Sequence, residues 1–234
     1  VGSHMLQDMP MFKLVNTTQH FLEKFSPCSL CDIGINLHFG VCKSCWQQLP
    51  WLKQQIERNQ QQVLVACHYE YPINRIIQQF KYEQKLHHQR LLDGVLLQLK
   101  LPKVHAIVPM PISTDRLVER GFNQSLLLAK SLSERLNLPI WQPVERLAQH
   151  SQKGFSRLER LDNIEQQFVV NNPRKIRYRK VLIVDDVVTT GSSIAALSQT
   201  LEQLGCQQIH ALCLAAAQVQ ENVRVENFAD TVEY

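Results

Sequence analysis

The amino-acid sequence predicts an α/β protein, because strongly apolar segments alternate with segments of helical periodicity. Residues 181–184 (Val-Leu-Ile-Val) are apolar throughout, which is typical of a strand buried on both faces, as in a parallel sheet. The next apolar side chains recur at positions 194, 197, 201 and 204, which is the spacing of one helix face. Residues 104–111, which end in two prolines, and residues 208–214 predict two further buried strands.

The segment between the strand at 181–184 and the following helix has the composition of a ribose-phosphate site. Asp185 and Asp186 follow the strand at its carboxyl end, where α/β sheets bind ligands. Carboxylates accept hydrogen bonds from ribose hydroxyls and suit Mg²⁺, while Gly191 and the helix N-terminus favour an anion. Four hydroxyl residues add donors: Thr189, Thr190, Ser192 and Ser193. A simple Thr- or Ser-capped turn would explain neither the paired acids nor the four hydroxyls.

Four cysteines near the N-terminus have the spacing of a structural zinc site. The pattern is C-x2-C-x10-C-x2-C, formed by Cys28, Cys31, Cys42 and Cys45. Each pair predicts a turn whose thiolates converge, and two such turns complete a tetrahedron around Zn²⁺. Disulfides are disfavoured without an export signal, and redox C-x-x-C motifs usually occur singly. His38 between the pairs could replace a ligand but fits a solvated loop better.

Two arginines follow the strand at 104–111, in the segment 111–124. Arg116 and Arg120 could each bind a pyrophosphate through two parallel hydrogen bonds, which a lysine could not do. A surface loop with two ordinary arginines is the alternative. Asn123 is expected to cap a helix over 126–136.

A basic run at 174–180 is a candidate DNA-binding segment. Five of these seven positions are basic and Tyr178 lies among them, which suits a phosphate backbone with one stacked base. A solvated charge run explains the pattern equally well. The basic residues are Arg174, Lys175, Arg177, Arg179 and Lys180.

The rest of the pattern predicts a mixture of helices and connecting segments. We expect a polar helix at 46–58, a linker at 59–62, a strand at 63–67 and amphipathic helices at 73–82 and 91–99. The basic stretch 81–90 suits a solvated helix face or part of a basic groove. Residues 141–168 have no clear period and suit either a lid or a helical segment.

Composition is that of an ordinary globular protein. The chain has 234 residues, of which 44% are hydrophobic and 20% charged. It contains no apolar run of about 18 residues and no visible secretory signal, so we expect a cytoplasmic location without membrane insertion. The net charge of +4 permits an anionic partner but does not require one.

The segment 181–193 resembles the phosphoribosyl pyrophosphate (PRPP) signature of type I phosphoribosyltransferases. Four apolar residues, two acids, two apolar residues, Thr-Thr-Gly and a hydroxyl residue match without a gap. The chain contains further motifs: the cysteine pattern, the Val-Pro-x-Pro loop, the Arg-Gly-Phe-Asn-Gln segment at 120–124, and Gln152, Arg160 and Asn163. With these motifs, the sequence resembles the ComF family of competence proteins, also called GntX-like. The resemblance covers residues 25–216. Gln149 departs from the pattern, which often has Thr there.

The resemblance implies a type I phosphoribosyltransferase-like core, with a mainly parallel sheet flanked by helices, and a small N-terminal zinc ribbon. It implies a role in natural transformation, acting in the cytoplasm on incoming single-stranded DNA. It also implies that the ribose-phosphate site comprises Asp185, Asp186, Thr189, Thr190, Gly191, Ser192 and Ser193. Other competence or DNA-uptake proteins are expected partners.

Three functions are compatible with these features. The first is a competence factor that binds single-stranded DNA and PRPP with Mg²⁺. The second is an active phosphoribosyltransferase that transfers ribose 5-phosphate to an unknown base, and the third is a PRPP-sensing regulatory protein. Catalysis does not follow from the fold.

The sequence divides into three parts. Residues 2–5 (Gly-Ser-His-Met) are typical of an expression remnant, so we expect residues 1–10 to be that remnant and a disordered start. We place the zinc ribbon and a linker helix in residues 11–60, and the phosphoribosyltransferase-like domain in residues 61–234.

Overall fold

The computed structural model describes residues 26–147, 167–171 and 178–218. In chain order the helices and strands are α1 (Lys43–Gln47), β1 (Trp51–Arg58), β2 (Gln61–His68), α2 (Ile73–Tyr82), a 3₁₀ turn (Leu86–His88), α3 (Gln89–Leu96), β3 (Ala106–Pro109), α4 (Thr114–Arg120), α5 (Gln124–Leu136), β4 (Val144–Arg146), β5 (Phe168–Val170), β6 (Lys180–Val188), α6 (Ser192–Gln203) and β7 (Gln208–Ala216). Among these residues no helix has the length and apolarity needed to cross a membrane.

Five of the strands form one mainly parallel sheet, which confirms the predicted fold class. The strand order is β1-β2-β7-β6-β3, in which β2, β7, β6 and β3 are parallel and β1 is antiparallel to β2. Strands β4 and β5 form a separate antiparallel pair. The carboxyl ends of the four parallel strands therefore lie along one edge of the sheet.

Strand β6 is buried on both faces, as its apolar sequence predicts. Leu182 and Val184 belong to a core cluster that includes side chains of α2, α3 and α5. Val181 and Ile183 belong to a second cluster, on the other face, that includes side chains of α6. Because successive side chains alternate across a strand, both faces need apolar cover.

The polar helix predicted at 46–58 and the linker at 59–62 are wrong. The helix α1 is short, and residues 51–58 are an edge strand of the main sheet. Pro50 lies between the two elements, where it cannot supply an N–H group to a continuing helix. Asn59 and Gln60 have φ of 48° and 61°, which is typical of a two-residue hairpin turn. Leu52 and Ile56, four residues apart, fit a strand period of two as well as a helix face.

Most of the other predicted elements are present. The helices at 73–82 and 126–136 are confirmed as α2 and α5, and the Asn123 side chain accepts a hydrogen bond from the Leu126 N–H group at 3.3 Å. The segment 111–124, expected to be a loop, contains α4. Strand β6 continues to Val188, so Asp185 and Asp186 lie within the strand and not after it.

Several sequence predictions lie outside the described residues. They concern the leading segment 1–25, most of the candidate lid at 141–168, and Arg174, Lys175 and Arg177 of the basic run. Gln149, Gln152, Arg160 and Asn163 also fall in this part of the chain.

The four-cysteine module, which comprises the four cysteines and α1 (residues 28–47), packs onto the main domain through aromatic side chains. The Phe39 ring lies against Gly94 in α3, where an added Cβ would be 2.2 Å from Phe39 Cγ. Phe39 also stacks on Trp46, with ring centroids 5.4 Å apart, and Trp46 contacts Trp51 of β1 edge to face at 5.1 Å. Glycine at position 94 therefore makes room for the ring that joins the two parts.

Replacing Gly94 with alanine should lower the free energy of unfolding by about 1–2 kcal/mol, because the new methyl group overlaps the Phe39 ring. Alanine favours a helix by about 1 kcal/mol, so the same substitution should be neutral or stabilising in a Phe39→Gly background, which also removes the Phe39 Cβ that would lie 2.7 Å from the new methyl group. Urea unfolding of the parent protein, the two single variants and the double variant measures the change in the free energy of unfolding in each background. An equal loss in both backgrounds would contradict the contact.

Candidate functional site

Two adjacent acids at the carboxyl end of β6 form the centre of the candidate site. Asp185 Oδ1 accepts hydrogen bonds from Ser125 Oγ and from the Asp186 N–H group, both at 2.9 Å. Burial and the neighbouring Asp186 raise the pKa of Asp185 to about 7. The Asp185 carboxyl can therefore gain or lose a proton near neutral pH.

A lysine from another element neutralises the second acid. Lys81 lies in the last turn of α2, and its Nζ is 2.8 Å from Asp186 Oδ1. Both side chains are largely buried, with 17% and 10% of their surfaces exposed. Low exposure limits screening by solvent, so this ion pair is stronger than a surface pair. The pair also connects α2 to the central strand.

Three arginines line the same cavity as the acids. Arg120 Nη1 donates to Gln124 Oε1 at 3.2 Å, and Nη2 donates to the Tyr82 hydroxyl at 3.1 Å. Arg146 of β4 donates through Nη2 to Ser193 Oγ at 3.2 Å, and Arg116 is the third. Burial, together with the nearby Arg116, lowers the pKa of Arg146. The cavity has a volume of about 280 Å³ and brings acids and cations together.

The hydroxyl-rich turn after β6 has the backbone geometry expected of an anion loop. Gly191 has a φ of 81°, and an added Cβ would be 2.8 Å from the Arg58 carbonyl oxygen. Thr190 Oγ1 and Ser192 Oγ form a hydrogen bond of 2.9 Å, and α6 begins at Ser192. Glycine is required here both by the positive φ and by the close approach of the β1–β2 hairpin.

The structure brings together part of the predicted site. Asp185, Asp186 and Ser193 line the cavity with Arg116 and Arg120. Thr189, Thr190 and Ser192 are exposed on the adjoining turn. Ligand binding by these residues stays a prediction.

The sequence pattern assigns no role at this site to Lys81, Arg146, Ser125 or Gln124. Lys81 is only one member of a basic stretch, and Arg146 lies within the long polar segment at 141–168. No local pattern marks Lys81, Arg146 or Ser125, because they come from α2, β4 and α5. The Arg120-Gly121-Phe122-Asn123-Gln124 motif was the one available signal for Gln124.

The two described residues of the basic run lie away from the cavity. Arg179 precedes β6 and Lys180 begins it, whereas the acids lie near the other end of the strand. The five-residue separation from Lys180 to Asp185 corresponds to about 16 Å along a strand. A DNA-binding role for this run stays a prediction, and the structure does not place Arg179 and Lys180 beside the cavity that the acids line.

The four cysteine sulfurs are positioned to hold a metal ion. The Sγ atoms of Cys28, Cys31, Cys42 and Cys45 all lie within 4.8 Å of one another, and the Cys31–Cys42 pair is 3.8 Å apart. Backbone N–H groups donate to sulfur in both pairs, from Leu30 to Cys28 and from Cys45 to Cys42. Gly34 permits this convergence, since an added Cβ would be 2.8 Å from Cys42 Sγ.

Several known proteins are similar to this chain in sequence. The phosphoribosyl transferase domain family matches residues 123–232. Competence protein F of Haemophilus influenzae is 31% identical over 218 residues, covering 87% of this chain and 90% of that protein. DNA utilization protein YhgH of Escherichia coli (strain K12) is 30% identical over 202 residues, covering 80% and 82%. Competence protein ComFC of Streptococcus pneumoniae is 30% identical over 117 residues, covering 50% of each chain.

The mainly parallel sheet and the domain match define a type I phosphoribosyltransferase-like protein, here preceded by a four-cysteine module. Within that class the chain belongs to the ComF-like family, which contains competence protein F. The family resemblance found in the sequence is thereby confirmed.

Replacing Asp185 with asparagine should stabilise the unliganded protein at pH 8, by about 1 kcal/mol or more, and progressively less toward pH 5. The native state raises the pKa of Asp185 from 3.8 to about 7, so its contribution to stability is full below about pH 4 and is lost as pH rises through 7. Asparagine avoids that loss and can still accept the two hydrogen bonds. Thermal unfolding across this pH range measures the difference.

Glu202→Gln, at an exposed acid of α6, is the control and should show no such pH-dependent gain. An Asp185→Asn gain of the same size at pH 5 and pH 8 would contradict the assignment of a raised pKa.

Proposed function

We propose that this protein handles single-stranded DNA in the cytoplasm during natural transformation, and that it binds PRPP or a related ribose phosphate. The observation that carries the proposal is the convergence of paired acids and three arginines on one cavity. The names of its relatives, competence protein F and DNA utilization protein YhgH, support the DNA part of the function.

The chemistry of the cavity suits each part of PRPP. Asp185 and Asp186 would accept hydrogen bonds from the ribose hydroxyls, and they could hold the Mg²⁺ that accompanies PRPP. The N–H groups at the start of α6, with Ser193 and Arg146 beside them, would donate to the 5-phosphate. Arg116 and Arg120 would hold the pyrophosphate. Ligand binding then has to compete with the Lys81–Asp186 ion pair, which gives Lys81 a direct influence on affinity.

Phosphoribosyl transfer is the second candidate function. The observation that favours it is the cluster of Arg116, Arg120 and Arg146, whose positive charge would stabilise a departing pyrophosphate. The reaction would break the bond between C1 of the ribose and pyrophosphate and form one to an acceptor base. Release of pyrophosphate from PRPP in the presence of nucleobases or single-stranded DNA tests this candidate.

A regulatory function is the third candidate, in which PRPP occupancy alters the affinity for DNA. Thermodynamic linkage then requires that DNA change PRPP affinity by the same factor. Equal PRPP affinity with and without DNA would exclude this coupling.

The four-cysteine site fits Zn²⁺ in its geometry and its donors. Tetrahedral coordination with Zn–S distances of about 2.3 Å places sulfurs about 3.8 Å apart. The Cys31–Cys42 separation is 3.8 Å, which matches this value. Four protein ligands leave no open position, so the ion would be structural.

The double variant Asp185→Asn/Asp186→Asn should weaken PRPP binding at least tenfold, because amides accept less strongly from hydroxyls and bind Mg²⁺ poorly. Titration calorimetry with PRPP and Mg²⁺ measures this, and Glu202→Gln is the control. Anisotropy of a labelled single strand should show binding that falls steeply with salt and survives in the double variant. Unchanged PRPP affinity would contradict the cavity assignment, and an absence of strand binding at low salt would contradict the DNA function.

The purified protein should contain about one zinc ion per chain, and Cys28→Ser should lose the metal and the fold of the N-terminal module. Elemental analysis and near-ultraviolet circular dichroism of the module's tryptophan measure these changes. Cys206→Ser is a matched control, because Cys206 lies outside the four-cysteine cluster and its Sγ donates to the Tyr178 carbonyl at 3.1 Å, as a serine hydroxyl can. Retention of zinc by Cys28→Ser would show that the cluster is not the metal site.

A further inference from the structure

A second cavity lies between the four-cysteine module and helices α3 and α5. Its volume is about 710 Å³, within the range of ligand sites, and it shares no lining residue with the ribose-phosphate cavity. The module contributes residues 37–39, and the helices contribute Asp93, Leu97 and Leu132 among others. The wall is therefore composed of three parts of the chain that pack together only in the folded protein.

Asp93 gives this cavity a polar group that needs a partner. Asp93 Oδ2 accepts from Ser131 Oγ at 2.7 Å, and Ser131 Oγ accepts from Gln89 Nε2 at 3.2 Å. Because Ser131 Oγ accepts from Gln89, its hydroxyl hydrogen is directed toward Asp93 Oδ2. The other carboxyl oxygen, Oδ1, is buried and has no hydrogen-bond partner among the described residues. A buried acceptor left unpaired is unfavourable, and Asp93 lines the cavity, so a rotation of its carboxyl group that let Oδ1 accept from a ligand N–H group would remove this cost.

The outer part of the cavity is lined by basic side chains, in contrast to the acidic Asp93. Arg135 and Arg90 are exposed lining residues, as is His87, whereas Phe39, Leu97 and Leu132 supply aromatic and apolar wall. Glu134 also lines this outer edge. A ligand that matches these features has an N–H donor on a flat, largely apolar ring and an anion at its other end. A nucleotide with an amino-bearing base has this arrangement.

We infer that this cavity binds one nucleotide, whose base amino group donates to Asp93 and whose phosphate lies beside Arg135. The nucleotide can come from free solution or from within a single strand, since both present the same chemistry. This site goes beyond the proposed ribose-phosphate function, because it is a separate cavity. It would bring the four-cysteine module into contact with nucleic acid.

The test is binding of deoxycytidine and thymidine monophosphates, and of short deoxycytidine and thymidine oligonucleotides, to the full chain. Saturating ribose 5-phosphate keeps these ligands out of the other cavity. Cytosine has an exocyclic amino group and thymine does not, so the cytosine ligand should bind about fivefold more tightly or better. Titration calorimetry measures the monophosphates, and anisotropy measures the labelled strands.

Asp93→Asn should weaken cytosine binding about tenfold or more, because a charged acceptor is lost while the size of the side chain is kept. Arg135→Gln should weaken binding of the monophosphate but not of the nucleoside. Glu134→Gln, at the same edge, is the matched control and should not weaken either. PRPP binding should be unchanged in all three variants, which separates failure here from failure of the proposed function.

Asp93-dependent binding of monophosphates supports a free nucleotide as the ligand, and Asp93-dependent binding of strands alone supports a nucleotide within DNA. The inference is overturned if neither ligand binds at millimolar concentration, or if binding is the same in Asp93→Asn and Arg135→Gln as in the parent protein. Arg135 is exposed, so the second variant remains informative should Asp93→Asn fail to fold.

Discussion

The structure depends on accommodating two adjacent carboxylates at the end of a strand that is covered on both faces. Burial makes charge on Asp185 costly, and Asp186 beside it adds repulsion, which together raise the Asp185 pKa to about 7. The structure compensates with Ser125 from α5 and Lys81 from α2. Both helices are therefore held at the carboxyl edge of the sheet by their contacts with the two acids.

The four-cysteine module is joined to this core and is not an isolated appendage. Phe39 packs on Gly94 of α3, and Trp46 contacts Trp51 at the start of β1. Strand β1 then ends at Arg58, whose backbone lies against Gly191 of the hydroxyl-rich turn. Strand β1 thus connects the packing of the module to the geometry of the turn beside the candidate site.

The errors of sequence interpretation have specific physical causes. Leu52 and Ile56 fit both a helix face and alternate positions of a strand, and the turn at Asn59 and Gln60 has no glycine to mark it. The partner strand β2, not local periodicity, decides between them. Strand β6 also extends past its apolar run, because pairing with β7 continues through Val188 and carries both acids within the ladder.

The sequence by itself determined the features that are encoded in short contiguous segments. The cysteine spacing, the buried strand and the acid–hydroxyl motif at 185–193 each lie within about twenty residues, so local pattern is enough to identify them. Tertiary structure alone decided which cations meet the acids. Lys81 and Arg146 come from α2 and β4, and isolated basic residues look alike in sequence whether they face solvent or a carboxylate. Their convergence follows from the packing of α2 and β4 at one edge of the sheet, a long-range property that no local window contains.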